Sequence, residues 1–282
     1  MRYLKHPGPV AAEREQSARC RATPLSLRLE KGLSANSAIT GALARAGFSA
    51  GYVHLENVAI SPMRYVIPAA SPDDSHVAWY SETFAPEGIV TIERAGVIAG
   101  TREGAPFIHC HGIWVDEVGN RRAGHLLPHE AFIVEDATVR ACGIKGANYI
   151  ARDDAETNFK LFAAEATGQE VAAPNALAAT IRPNGDISVA IEAVCRRHGI
   201  TQARILGVGS LNEVDFDDGR RVASYATEVF IDDGHIFTTD GRLQSQLDVS
   251  LVDLRGAIHS GRLMRGRNPV CVTFELLIVA ND

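Results

Sequence analysis

The chain is poor in the features that mark a secreted, membrane-spanning or nucleic-acid-coating protein. Its five cysteines, Cys20, Cys110, Cys142, Cys195 and Cys271, are odd in number, widely spaced and without a Cys-x-x-Cys pair, so no disulfide framework is legible. Residues 1–23 contain no apolar run of signal-peptide length, and no later run approaches a membrane span. Lys and Arg number 28 against 34 Asp and Glu, and the net charge of -6 argues against coating nucleic acid or an anionic membrane through bulk charge. A cytoplasmic protein in a reducing compartment is the expectation. What remains is ordinary globular composition, 46% hydrophobic over 282 residues, enough for one large domain or two of usual size.

Against that background one stretch carries chemistry. Ile108-His109-Cys110-His111-Gly112 reads as a strand, and alternation puts His109 and His111 on one face with Cys110 on the other. The charged segment Asp116-Glu117-Val118-Gly119-Asn120 supplies a hairpin turn, which folds Gly124-His125-Leu126 back beside them. Three imidazoles suit a divalent transition metal, zinc first, and leave a fourth position open for water or substrate. Asp116, Glu117 and His129 are close enough in sequence to serve as further ligands or as a general base, although each also fits a solvated turn. Histidines on a sheet also serve as hydrogen-bonded core residues, and that alternative stands open.

The order of elements repeats. Residues 1–24 read as an amino-terminal arm. In 25–164, the alternating strand Leu25–Glu30 precedes a short helix carrying Ile39 and Leu43 and stopped by Gly47. Strands follow over 52–60, 77–84, 88–98, 107–115, 123–127 and 131–142, with an edge strand over 158–164. Residues 165–176 read as a linker. In 177–282 the order begins again with a strand at 177–182, then a helix at 187–198 whose Ile187, Ile191, Val194 and Cys195 form one stripe before Gly199. Strands follow at 203–211, 222–231, 235–238, 247–252, 257–264 and 270–279. Asp217-Asp218-Gly219 and Asp232-Asp233-Gly234 read as hairpin turns.

Gly47-Phe48-Ser49-Ala50 lines up with Gly199-Ile200-Thr201-Gln202, and two copies of one module are the simplest account. In that register His109-Cys110-His111 falls on Gln246-Leu247-Asp248, and Gly124-His125-Leu126 on Gly261-Arg262-Leu263. An arginine repels a cation, so the second copy is expected to hold no metal.

This pattern resembles the PPC domain, a module of plants and prokaryotes that plant proteins join to an AT-hook. In the second copy the resemblance runs through His198-Gly199-Ile200, Gly207-Val208-Gly209, Asp240-Gly241, Gly261-Arg262-Leu263 and Glu275. In the first it runs through Gly47-Phe48, His109-Cys110-His111, Gly124-His125-Leu126-Leu127 and Asp153-Asp154-Ala155-Glu156-Thr157. The resemblance implies an α+β fold with an antiparallel sheet packed around one main helix per module, assembly of modules into threefold rings, and in some bacterial members a metal held by the three histidines. Departures accompany it. The first copy has Leu55-Glu56-Asn57 where Gly-x-Gly is expected, and Thr138 stands where the final-strand Glu belongs. Arg265-Gly266-Arg267-Asn268-Pro269 is interrupted by asparagine and flanked by strands, so it reads as a turn rather than an AT-hook.

Two functions follow as expectations. In the first, a homotrimer of two-module chains holds zinc or another divalent metal at His109, His111 and His125 and binds or acts on a small molecule, with Asp116 or Glu117 as proton acceptor. In the second, the protein is a non-catalytic, DNA-associated regulator or oligomeric scaffold that works through a partner; direct nucleic-acid binding is disfavoured by charge.

Overall fold

The first strand begins at Glu15, well before the strand expected at Leu25. The computed structural model describes residues 2–281. In chain order come β1 (Glu15–Leu29), α1 (Ala35–Arg45), β2 (Ala50–Ile60), the two-residue strands β3 (Tyr65–Val66), β4 (Pro68–Ala69) and β5 (Trp79–Tyr80), then β6 (Val90–Arg102) and β7 (Ala105–Val115). β8 (Arg121–Leu126), β9 (Ala137–Lys145), β10 (Ala147–Asp153) and β11 (Lys160–Ala166) complete the part before residue 167. After residues 167–175 follow β12 (Ala176–Ile181), α2 (Ile187–His198), β13 (Ala203–Leu211), β14 (Val214–Asp215) and β15 (Arg221–Val222). β16 (Glu228–Thr239), β17 (Arg242–Val252), β18 (Ile258–Arg262) and β19 (Val270–Ala280) close the chain. The fold is α+β, a mostly antiparallel sheet with two helices.

β1 corrects the expected arm. Ala18, Cys20 and Ala22 are buried while Arg19 and Arg21 point outward, a period of two carried by small side chains. Its first six residues pair with β12 and the rest, Arg21 to Leu29, with β9, so one strand ties the two parts of the chain together. The residues before it are docked: the Arg2 guanidinium sits 2.9 Å from Asp215, and His6 Nε2–H donates to the Cys271 carbonyl at 3.0 Å.

Along the main 15-stranded sheet, neighbours run β18-β17-β16-β13-β19-β12-β1-β9-β2-β6-β7-β8-β3. From β12 the path goes outward through β19, β13, β16, β17 and β18; from β1 it goes outward through β9, β2, β6, β7 and β8. β10 and β11 form a hairpin beside β6, to which β10 adds a parallel pairing.

Each helix plugs its own part of the sheet. Ser34 caps α1 by accepting from Ser37 N–H, and Ile39 and Leu43 are fully covered. Asp186 caps α2 by accepting from Val189 N–H, and Gly199 ends it in the left-handed region at φ 73°, where a residue without Cβ is unstrained. The stripe Ile187, Ile191, Val194 and Cys195 is buried as the spacing predicts.

Several elements differ from expectation, among them the strands expected at 222–231 and 235–238, which run as one over Glu228–Thr239. The strand over 77–84 shrinks to Trp79–Tyr80 in an otherwise irregular segment. Asp232-Asp233-Gly234 is no hairpin turn: it lies inside β16, where the pairing with β17 shifts between Ile231 and Asp233 as a β-bulge. Asp232 there accepts from Arg94 at 2.7 Å and from Ser250 at 2.6 Å. The real reversal is at Asp240-Gly241, both with positive φ, the pairing a tight hairpin demands.

Candidate metal centre and cavity

β7 and β8 are antiparallel neighbours in the register that sets His111 opposite His125 and Gly112 opposite Gly124. The glycines permit this corner to close. A Cβ on Gly112 would lie 2.3 Å from Ala95 Cβ, and one on Gly124 would lie 2.4 Å from the Val66 carbonyl oxygen. One nitrogen from each of His109, His111 and His125 falls within 4.8 Å of the others, so the three expected ligands are brought together.

The second part of the chain supplies what the sequence reading placed elsewhere. Glu228, at the start of β16, puts Oε2 2.9 Å from His111 Nε2. Glu275, on β19, puts Oε2 2.5 Å from His109 Nδ1. His111 Nδ1–H donates to the Val229 carbonyl at 3.0 Å, which fixes Nε2 as the atom facing the cluster. His111 Nε2 thereby has three polar neighbours: Glu228, His109 Nε2 at 2.9 Å and His125 Nδ1 at 3.2 Å.

The Gly-x-Gly strand has a place in this arrangement. On β13, a Cβ at Gly207 would lie 2.3 Å from the Glu275 carbonyl oxygen, and one at Gly209 would lie 2.6 Å from Phe274 Cα. The glycines let β13 and β19 approach closely where Glu275 pairs with Val208.

Electrostatics follow from burial. Burial works against a charge on His111, but Glu228 and the Val229 carbonyl outweigh it and raise its affinity for a proton. Burial likewise works to raise Glu228, and the facing imidazoles outweigh it, keeping that carboxyl below its usual range. His109 is pushed down to about 3 by burial and by the charge on His111. His125 is pushed well down by burial and by the other two rings. Glu275 is raised to about 8, chiefly by burial. The cluster thus concentrates one positive charge, on His111, among buried acceptors.

Those donors fit a divalent cation. Once His111 gives up its proton, three imidazole nitrogens face one point with the Glu228 carboxylate 2.9 Å from His111 Nε2, and both His109 and His111 have their other ring nitrogen held by an acceptor, the outer support that orients metal-binding histidines. A cation near His109 Nε2 favours the form in which Nδ1–H donates to an ionised Glu275.

The other candidates lie elsewhere. Asp116 sits in the β7–β8 turn, where its carboxylate accepts from Asn120 N–H at 2.7 Å and Asn120 Nδ2 at 2.9 Å. Glu117 is exposed, and neither acid lines the cavity described below. Cys110 is buried on the opposite face, its thiol pushed up to about 12 by burial. His129 lies beside Phe107, ring centroids 5.8 Å apart, at the cavity wall.

The histidines and both glutamates open onto a cavity of about 420 Å³ shared by the two parts of the chain. Its remaining wall is aromatic. Trp79 and Phe159 stack with centroids 5.4 Å apart, and Tyr80 stands edge-on to His125 at 5.3 Å. The charged residues of the lining are Arg102, Lys160, Glu130, Glu228 and Glu275.

Comparison with known proteins gives a partial match. The family model of the Plants and Prokaryotes Conserved (PCC) domain matches residues 168–282. Among solved structures, the chain resembles a plant- and prokaryote-conserved (PPC) protein from Pyrococcus horikoshii at 15% identity and TM-score 0.39, covering 58% of this chain and 99% of that one. It resembles a metal-containing protein from Archaeoglobus fulgidus at 18% identity and TM-score 0.39, covering 50% of this chain and 92% of that one. It also resembles a protein from Bacteroides thetaiotaomicron described provisionally as DNA-binding, at 16% identity and TM-score 0.35, covering 40% of this chain and 82% of that one. No curated protein matches the chain.

Proposed function

We propose that the chain, whose residues 168–282 match the model of the Plants and Prokaryotes Conserved domain, is a two-module protein of that kind whose first module holds zinc or a similar divalent ion over a small-molecule cavity. The observation that carries the reading is the convergence of His109, His111 and His125, with Glu228 2.9 Å from His111 Nε2.

The reading of two modules has its own support. The strand path is the same outward from β1 and from β12. Asp248 and Arg262 face each other across β17 and β18 as His111 and His125 do across β7 and β8, and they are joined by an ion pair at 3.1 Å. In the second module, then, a self-neutralising pair stands where the first module presents lone pairs. Gly51 pairs with Gly143 in β9 as Ala203 pairs with Ala280 in β19, a register that sets Thr138 in the place of Glu275. Each module therefore contributes a different half: the first gives the imidazoles, the second gives the carboxylates that hold and balance them.

When bound, a divalent ion supplies Lewis acidity toward an oxygen of the ligand. His111 yields the proton that Glu228 stabilises, Glu275 orients His109 through Nδ1, and the aromatic wall limits water at the mouth. The DNA-associated reading has the net charge of -6 against it, and Arg265 in the one AT-hook-like turn is spent on Glu192 at 2.6 Å. Metal analysis of the purified protein is the test. One equivalent of zinc per chain, lost in His109→Ala/His111→Ala, is expected; metal-free wild-type protein that does not take up zinc, or a gel shift of DNA that weakens steeply with salt, would replace this reading with the second.

A further inference from the structure

The cavity has chemistry beyond its metal ligands. Arg102 lines it with the guanidinium carbon 5.2 Å from the Phe107 ring centroid, and among the described residues it has no acidic partner. Lys160, the other cation of the lining, is already taken by Asp153 at 3.0 Å and Glu103 at 3.2 Å. Thr273, 6% exposed, borders the same cavity, and its buried Oγ1 has no hydrogen-bond partner. A buried hydroxyl left without a partner is unfavourable, so a ligand oxygen placed there is favoured. The lining also holds an aromatic wall in which Trp79 and Phe159 stack and Tyr80 stands edge-on to Phe159.

Charge selects the sign of the ligand. With a divalent ion in place, the two cations and three carboxylates of the lining leave a single positive charge. The arginine without a carboxylate partner is the natural seat for an anion, and a divalent ion at the histidines adds to that attraction.

We propose that the cavity binds a small aryl carboxylate, its ring against Trp79, Tyr80 and Phe159 and its carboxylate drawn by the metal centre and by Arg102, with Thr273 donating to it. This rests on the metal reading above and names the ligand class of that site. The volume of about 420 Å³ falls in the range of small-molecule pockets, and three aromatic side chains exceed what a short aliphatic acid needs. Trp79 gives a direct signal, because the other tryptophan, Trp114, is fully buried away from the solvent.

The test is a titration of zinc-loaded protein with phenylacetate, phenylacetamide and acetate, followed by tryptophan fluorescence and calorimetry, with zinc content measured in every sample. Saturable binding of phenylacetate, about tenfold or more tighter than of the uncharged amide or the ringless acid, is expected. Arg102→Gln should weaken phenylacetate about tenfold and leave the amide and the zinc content unchanged. Thr273→Val, nearly isosteric, should weaken phenylacetate in the same direction. Zinc-loaded protein that binds no phenylacetate at millimolar concentration, that binds amide and acid alike, or whose binding ignores Arg102→Gln overturns the ligand assignment and leaves the metal centre standing. Protein that takes up no zinc overturns the metal centre itself.

Discussion

His109 on β7 and Glu275 on β19, 166 positions apart, meet through a 2.5 Å contact between Nδ1 and Oε2. The contact joins the imidazole cluster of the first part of the chain to the last strand of the second. Replacing Glu275 with Gln keeps the shape and a hydrogen-bonding group but removes the charge that holds the ring. Loss of such an outer partner weakens metal affinity by about 10–100-fold. Competition with a chromophoric chelator should therefore show zinc held more weakly by Glu275→Gln with the far-ultraviolet circular dichroism unchanged; equal affinity would remove Glu275 from the site.

Glu228 and the turn acids Asp116 and Glu117 make opposite predictions. Glu228 contacts His111 Nε2 at 2.9 Å, whereas Asp116 is occupied by Asn120 and Glu117 is exposed. Glu228→Gln should weaken zinc by about tenfold or more, a difference of roughly 1.4 kcal/mol or greater. Asp116→Asn and Glu117→Gln should leave zinc affinity within error of wild type. A loss at Asp116 rather than Glu228 would mean the carboxylate partner had been assigned to the wrong side of the cavity.

How far the sequence reveals this site depends on the distance over which its parts are joined. His109, His111 and His125 lie within one hairpin, so a strand period of two and a turn suffice to bring them together. Glu228 and Glu275 reach them only because the sheet continues through β1 and β12 and brings β16 and β19 over β7, and no local periodicity encodes that approach. Glu275 was visible as a family mark of the final strand, but its partner in the other part of the chain was not. The same limit explains the local errors. Gln16 to Thr23 alternates with alanine and cysteine, too small to stand out as a strand, and Asp232-Asp233-Gly234 has the composition of a turn although its carboxylate is spent on Arg94 across the sheet.

Acid should expose a second polar cluster. The Arg14 guanidinium donates to both oxygens of Glu156 at 2.6 and 3.0 Å, and Arg182 donates to Asp154 at 2.6 Å. Burial acts to raise both carboxyls, but these cations and neighbouring N–H and hydroxyl donors outweigh it, so both titrate below their usual range. A depressed folded pKa means that the unfolded chain binds protons first as pH falls. The stabilisation is complete above the unfolded values near 4 and is lost as pH drops through the depressed folded values. Urea midpoints measured between pH 5 and pH 3 should fall steeply in the wild type and less steeply in Arg14→Met. Parallel slopes would show that the cluster does not govern acid stability.

Assembly supplies the last prediction. Trp79, Tyr80, Phe84 and Ile89 all lie between residues 79 and 89 and are between 38% and 44% exposed, more large apolar surface than one short segment ordinarily presents to water. The resemblance noted from the sequence implies rings of three modules, and a chain of two modules, as proposed above, would not close such a ring evenly alone. Three chains and six modules satisfy both requirements, with each exposed segment covered by a neighbouring chain. Light scattering on the purified protein should give three times the chain mass of 30.3 kDa. Ile89→Glu, which places a charge on that segment without touching the metal ligands, should shift the population toward smaller species while zinc content is retained. A wild-type mass equal to one chain would leave the aromatic segment as the mouth of the cavity alone, and would assign its exposure to ligand capture rather than to assembly.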